Sequence, residues 1–147
     1  DVIHGVAERM LEGGEDSYVV IVRALERHFT AERRPLRVEM WTTPDKVRFR
    51  AGEVVFTLRF DKGTSRAEAL RRLLGLRARL RETAKDRGLL PDPQTGEYGV
   101  LRADQMLDAV DAIAKAKTPM EVRVISAGDV RTAEPLAVTL EVRAVRG

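Results

Sequence analysis

The chain is read first as an alternation of apolar and polar positions. Val2, Val6 and Met10 recur at helical spacing and Gly13-Gly14 follow, so residues 2–11 are expected to form a short helix. Tyr18–Leu25 is a nearly continuous apolar run of strand length, the pattern of a strand covered on both faces. Arg33-Arg34-Pro35 interrupts the chain. Leu36, Val38 and Met40 then alternate with Arg37, Glu39 and Trp41, as in a half-buried strand. Thr43-Pro44-Asp45 is a turn signal. Val47 and Phe49 alternate with Lys46, Arg48 and Arg50. After Ala51-Gly52, Val54, Phe56, Leu58 and Phe60 alternate with Val55, Thr57 and Arg59, which predicts a β-hairpin.

Ser65 and Glu68 have capping-box spacing and open one long helix to about Arg87, with Gly88 at its end. Its apolar stripe is Leu70, Leu73, Leu74, Leu80 and Ala84. Gly88–Gly99 holds Pro91, Pro93 and Gly96 and reads as a loop. A further helix starts among Asp104, Asp108 and Asp111 and ends at Lys115 and Lys117, as the helix dipole favours, with Met106, Val110 and Ile113 as its buried side. Pro119 closes it. Val122 and Val124 begin one strand, and Leu136, Val138, Leu140 and Val142 form the last.

Two stretches repeat. Val20 and Val22 are followed by Thr30-Ala31-Glu32, Pro35-Leu36 and Val38. Val122 and Val124 are followed by Thr132-Ala133-Glu134, Pro135-Leu136 and Val138. Each follows an expected helix. The expectation is a single α+β domain over 1–147 with an internal repeat at about 2–42 and 104–143. It has a mainly antiparallel sheet from the duplicated helix–strand–strand unit, one intervening hairpin and one long basic amphipathic helix. The repeat is better explained as a duplicated structural unit than as a duplicated site. Its loops carry different polar groups, Glu26-Arg27-His28-Phe29 against Gly128-Asp129-Val130-Arg131.

Composition narrows the chemistry. The 147 residues are 44% hydrophobic, 33% charged and 5% aromatic, which fits a folded domain rather than a disordered tail. No run approaches the roughly 20 apolar residues of a membrane helix, so direct membrane insertion by this segment is not expected. Cysteine is absent, which excludes thiolate catalysis, disulfides and cysteine-ligated zinc. His4 and His28 are the only histidines and neither lies in a ligand-spaced cluster. No metal or other cofactor is expected. A carboxylate magnesium site would need strand acids such as Glu39, Glu53, Glu121 and Glu141, but these alternate with arginines, and cross-strand ion pairs explain them more simply. Ser17, Ser65 and Ser126 are the only serines, and neither a nucleophile elbow nor a phosphate-binding glycine loop is present. Enzymatic activity has no positive support. The chain begins at Asp1, without a leader sequence, and is read as part of a longer protein.

The net charge is +3, but it is unevenly placed. Arg66–Arg87 carries eight bases against three acids, +5, which leaves −2 for the rest. Guanidinium suits phosphate and carboxylate contacts, so an anion-binding surface is one reading and arginine-biased composition the other. Two sets of candidates follow. Arg37, Lys46, Arg48, Arg50 and Arg59 are expected on one sheet face with Trp41 beside them, where bases could stack. Arg77 and Arg81 flank the apolar stripe of the long helix, where they either cover its edge or receive a partner helix or acidic ligand.

Val47-Arg48-Phe49-Arg50-Ala51-Gly52-Glu53-Val54-Val55, Thr64-Ser65-Arg66-Ala67-Glu68-Ala69-Leu70 and Val122-Arg123-Val124-Ile125-Ser126-Ala127-Gly128-Asp129-Val130 together resemble the C-terminal globular domain of the domain-of-unknown-function family 3084, over nearly the whole chain. The resemblance implies a membrane-spanning region and a long coiled coil ahead of this domain, and brings no catalytic residues. By the basic-loop rule it implies an extracytoplasmic position. The expected function is a non-enzymatic interaction or scaffolding domain of a membrane-anchored envelope protein, with a protein partner or self-association. A nucleic-acid-binding module, with or without carboxylate-dependent nuclease activity, is the alternative.

Overall fold

A computed structural model describes residues 17–24 and 37–145. The helix expected at 2–11, both histidines and the Arg33-Arg34-Pro35 break lie outside the described residues. The chain divides into two compact units, Asp1–Lys46 and Val47–Gly147. The boundary falls within the span that the sequence assigned to one domain.

In the first unit, β1 (Tyr18–Ala24) pairs antiparallel with β2 (Val38–Pro44). The Asp45 N–H donates to Ser17 O (2.8 Å) and ties the open end. β1 is not covered on both faces as expected, for Val20 is 40% and Val22 57% exposed. The described part of this sheet has only two strands, and the side carrying Val20, Val22 and Val38 stays open.

The second unit is α+β. Its strands are β3 (Val47–Phe49), β4 (Val54–Phe60), β5 (Gly99–Val100), β6 (Met120–Ser126), β7 (Val130–Arg131) and β8 (Leu136–Ala144). The main sheet has the order β4-β6-β8-β5, antiparallel except for the parallel β5–β8 pair, and β3 pairs with β7. Strand alternation decides the core. Phe56, Leu58 and Phe60 on β4 and Val122 and Val124 on β6 point to one side, where helices cover them. Thr57, Arg59, Glu121, Arg123, Glu141 and Arg143 occupy the other.

Three helices follow from the apolar period. α1 (Arg66–Leu74) buries Ala69 and Leu73, α2 (Leu76–Asp86) buries Leu76, Leu80 and Ala84, and α3 (Ala103–Lys115) buries Met106, Ala109, Val110 and Ile113. The Ser65 side chain accepts from the Glu68 N–H (3.1 Å) as predicted. The one long helix is instead two, interrupted at Gly75, where glycine's backbone freedom weakens the helix. Leu74, placed in the buried stripe by the sequence, is 52% exposed beside that break. α2 ends in a Schellman motif: Leu89 N–H donates to Ala84 O, Gly88 N–H donates to Lys85 O, and Gly88 adopts φ +88°.

The expected hairpin is also corrected. The turn forms, with Glu53 N–H donating to Arg50 O (3.0 Å) and Gly52 at φ +81°. Its arms do not pair with each other. Ser126 N–H donates to Glu53 O and Gly52 N–H donates to Ser126 O, both at 2.9 Å, which fastens the turn to the end of β6. β4 then pairs along β6, where its three inner side chains meet Val122 and Val124, and three-residue β3 goes to β7.

The two stretches that repeat in sequence have the same strand register. Val22 faces Met40 as Val124 faces Leu140, and Val20 faces Thr42 as Val122 faces Val142.

Candidate functional site

The arginines of the basic segment on α1 and α2 have different fates. Arg72, Arg79 and Arg87 are spaced by seven and eight residues, so they share one side of the helical path. Each lies over a phenylalanine: Arg72 over Phe60 at 4.2 Å, Arg79 over Phe56 at 4.6 Å and Arg87 over Phe49 at 4.8 Å, measured to the ring centroids. The planar guanidinium suits this position, since it attracts the ring face while its edge bonds elsewhere. Arg72 Nη1 donates to Arg59 O (2.7 Å), and Arg87 Nη1 donates to Arg48 O (2.9 Å) with the Glu53 carboxylate 3.3 Å away. These three cations cap the rim of the core.

Arg66 bonds Asp111 and so joins α1 to α3. Arg71 holds Glu68 through two bonds, Nη2 to Oε1 (2.6 Å) and Nε to Oε2 (3.0 Å). The Arg71 hydrogen bond lowers the Glu68 carboxyl below its ordinary range, and the same bond raises Arg71. Glu68 therefore turns to Arg71 and does not complete the capping box.

Arg77 and Arg81 remain. They are exposed, one helical turn apart on α2, and make no hydrogen bond, ion pair or ring contact among the described residues. Both line a groove of about 490 Å³ between α2 and residues 95–101. Leu80 and Leu101 give its walls apolar surface, Tyr98 adds a phenol, and Glu97 supplies one carboxylate against the two cations. The far wall is shaped by Asp92, whose Oδ1 accepts from the Gln94 (2.8 Å) and Thr95 (3.0 Å) N–H groups. These bonds, Thr95's first, lower the Asp92 carboxyl below its ordinary range. The sequence marked this stretch only as a loop. Asp92-Pro93-Gln94-Thr95 is an Asx-turn signature that would have shown its order, although not what faces it.

The other sequence candidates are divided between the two units. Arg37, Trp41 and Lys46 belong to the first unit, where Arg23 lies 5.7 Å from the Trp41 ring centroid. In the second unit Arg48, Arg50 and Arg59 do not share one sheet face, because β3 and β4 enter different sheets. Arg48 is half-buried and donates from Nε to the buried Thr132 hydroxyl (3.1 Å). Arg50 stands in the turn, and Arg59 stands on the outer face of β4 opposite Glu121.

All four acids that the sequence placed on strands meet arginines, although Glu53 stands in the turn before β4: Glu39 with Arg23, Glu53 with Arg87 (3.3 Å), Glu121 with Arg143 (2.8 Å) and Glu141 with Arg123 (3.5 Å). Buried Ser126 donates to Gly128 O (2.8 Å), an anchor for its own turn. Among the described residues no group of three or more His, Asp or Glu could hold a metal, and no helix is long and apolar enough to cross a membrane.

Fold and site together define a small α+β module in which a basic helical segment closes a sheet core on one flank and lines an open cationic groove on the other. Residues 49–146 match the model of the family described as the DUF3084-associated C-terminal helical hairpin, and the chain belongs to that family. The match starts just inside the second unit and does not take in the β1–β2 hairpin, so it is shorter than the nearly whole-chain resemblance read from the sequence. No curated protein and no solved structure matches the chain.

Proposed function

We propose that this chain is a non-enzymatic interaction and scaffolding domain, the C-terminal module of a membrane-anchored coiled-coil protein of the cell envelope. It lies on the extracytoplasmic side and engages a protein partner. Family membership supports the setting, since the resemblance carries a membrane region and a coiled coil ahead of this domain. Self-association then comes through that coiled coil. The observation that carries the interaction role is the division of the basic segment. Five arginines of the basic segment are engaged within the fold, while among the described residues Arg77 and Arg81 stand unpaired beside a groove.

Two observations weigh against base stacking and metal-dependent cleavage. Phe49 and Phe60 are sealed in the core, under Arg87 and Arg72, and offer no face to a base. Glu121 and Glu141 each hold an arginine.

Fractionation of cells carrying the natural full-length protein tests this placement. The protein is expected in the membrane pellet, released by detergent, with this domain cut by protease added outside the cytoplasmic membrane. Recovery in the soluble fraction, or protection from that protease, would overturn it.

A further inference from the structure

We infer that the groove between α2 and β5 takes an acidic, extended segment of a protein partner, added as a strand along the open edge of β5. The inference rests on the proposed interaction role and gives it a ligand class. Three features of the groove carry it.

The first is charge. Arg77 and Arg81 stand on one wall a helical turn apart, exposed, with no partner among the described residues. Each is free to make a charge-assisted bond to a carboxylate. The second is the backbone. Among the described residues β5 is an edge strand, paired only with β8. Leu136 N–H donates to Tyr98 O (2.9 Å), so Tyr98 and Val100 turn their peptide groups to β8 and Gly99 turns its own away from β8. A strand laid there meets main-chain groups that β8 does not use, as in β-augmentation. The third is relief. Gly99 carries no side chain and Leu80 and Leu101 line the same cavity, so a chain of alternating apolar and acidic residues can send one set inward and the other to the arginines. About 490 Å³ is a fitting volume for a few residues of such a chain. Glu97 opposes an acidic ligand and sets a sign that can be tested.

The test is calorimetric titration of the 147-residue chain with a capped octapeptide of alternating Glu and Val, with amide shifts recorded by NMR. Saturable binding is expected, with shifts centred on Gly99 and Val100. Arg77→Gln and Arg81→Gln each weaken it about tenfold or more, as the loss of a charged hydrogen bond requires. Glu97→Gln tightens it. An octapeptide N-methylated at every residue binds at least about tenfold more weakly, because it lacks main-chain donors. Absence of binding, or binding indifferent to both arginine variants, overturns the inference. So does equal binding of the N-methylated peptide, or equal competition by citrate, which would mark a simple carboxylate site. Displacement by single-stranded DNA with a steep salt dependence would assign the groove to nucleic acid instead. Fractionation reports where the whole protein resides and this titration reports what the groove holds, so either can fail alone.

Discussion

Arg72 and Arg77 lie five residues apart on one basic segment, and the residue type says nothing of their different roles. Arg72 covers a buried ring and bonds a strand carbonyl, whereas Arg77 touches nothing charged among the described residues. Arg72→Ala is therefore expected to cost about 1–2 kcal/mol, the ring contact and the hydrogen bond together. Arg77→Ala should stay within about 0.5 kcal/mol of the parent. Thermal melts of the two variants check this, and equal effects would remove the distinction between core-capping and free arginines. Asp92 gives a pH prediction. Its folded pKa is depressed, so its turn is fully held above the unfolded value of about 3.9 and is lost as pH falls through the lower folded value. The Gln94 and Thr95 amide shifts should titrate with a midpoint below about 3.9. A midpoint at or above it would mean that the carboxylate does not hold the loop.

Single positions also decide whether elements form and end where they do. Gly88 adopts φ +88° at the end of α2, and a Cβ there would lie 3.1 Å from Arg48 Nη1. Gly88→Ala should cost about 1–2 kcal/mol from the left-handed backbone alone. Gly99 has no such angle, but a Cβ would lie 2.9 Å from the Leu136 carbonyl oxygen. Gly99→Ala must push β5 from β8, and about 1–3 kcal/mol is expected, with faster amide exchange confined to the β5–β8 pair. Unchanged exchange there would show that the parallel pair tolerates a side chain. The elements themselves were largely legible. The α3 face, β6, β8 and the Ser65 cap follow the apolar period and the capping chemistry. Strand pairing was not legible, because alternation fixes which side chains face the core but not which neighbour supplies the hydrogen bonds. β3 and β4 flank a good turn and still part, since β6 offers β4 a longer apolar partner. The break at Gly75 was hidden because the apolar stripe continues across it from Leu73 to Leu76. Arg77 and Arg81 were visible as oddly placed cations. Their groove was not, since its other wall comes from a loop whose position depends on the β5–β8 pair.

At the scale of the molecule, the core holding Phe49, Phe60, Leu73, Val110, Val122 and Leu136 lies within the second unit, which also contains the family match. A fragment spanning 47–147 should therefore unfold in one cooperative transition and keep the Arg77–Arg81 groove. A broad, non-cooperative melt of that fragment would make the first unit part of its folding. In the proposal above, the groove beside α2 is where this domain meets a protein. Site-specific photo-crosslinking in cells tests it most directly, with a photoreactive side chain at Val100 in the natural full-length protein and another at Thr139 on the outer face of β8 as the control. A polypeptide adduct is expected from Val100, lost when Arg77 and Arg81 are changed to Glu, and none from Thr139. An adduct to nucleic acid, or a polypeptide adduct that survives both charge reversals, would contradict it.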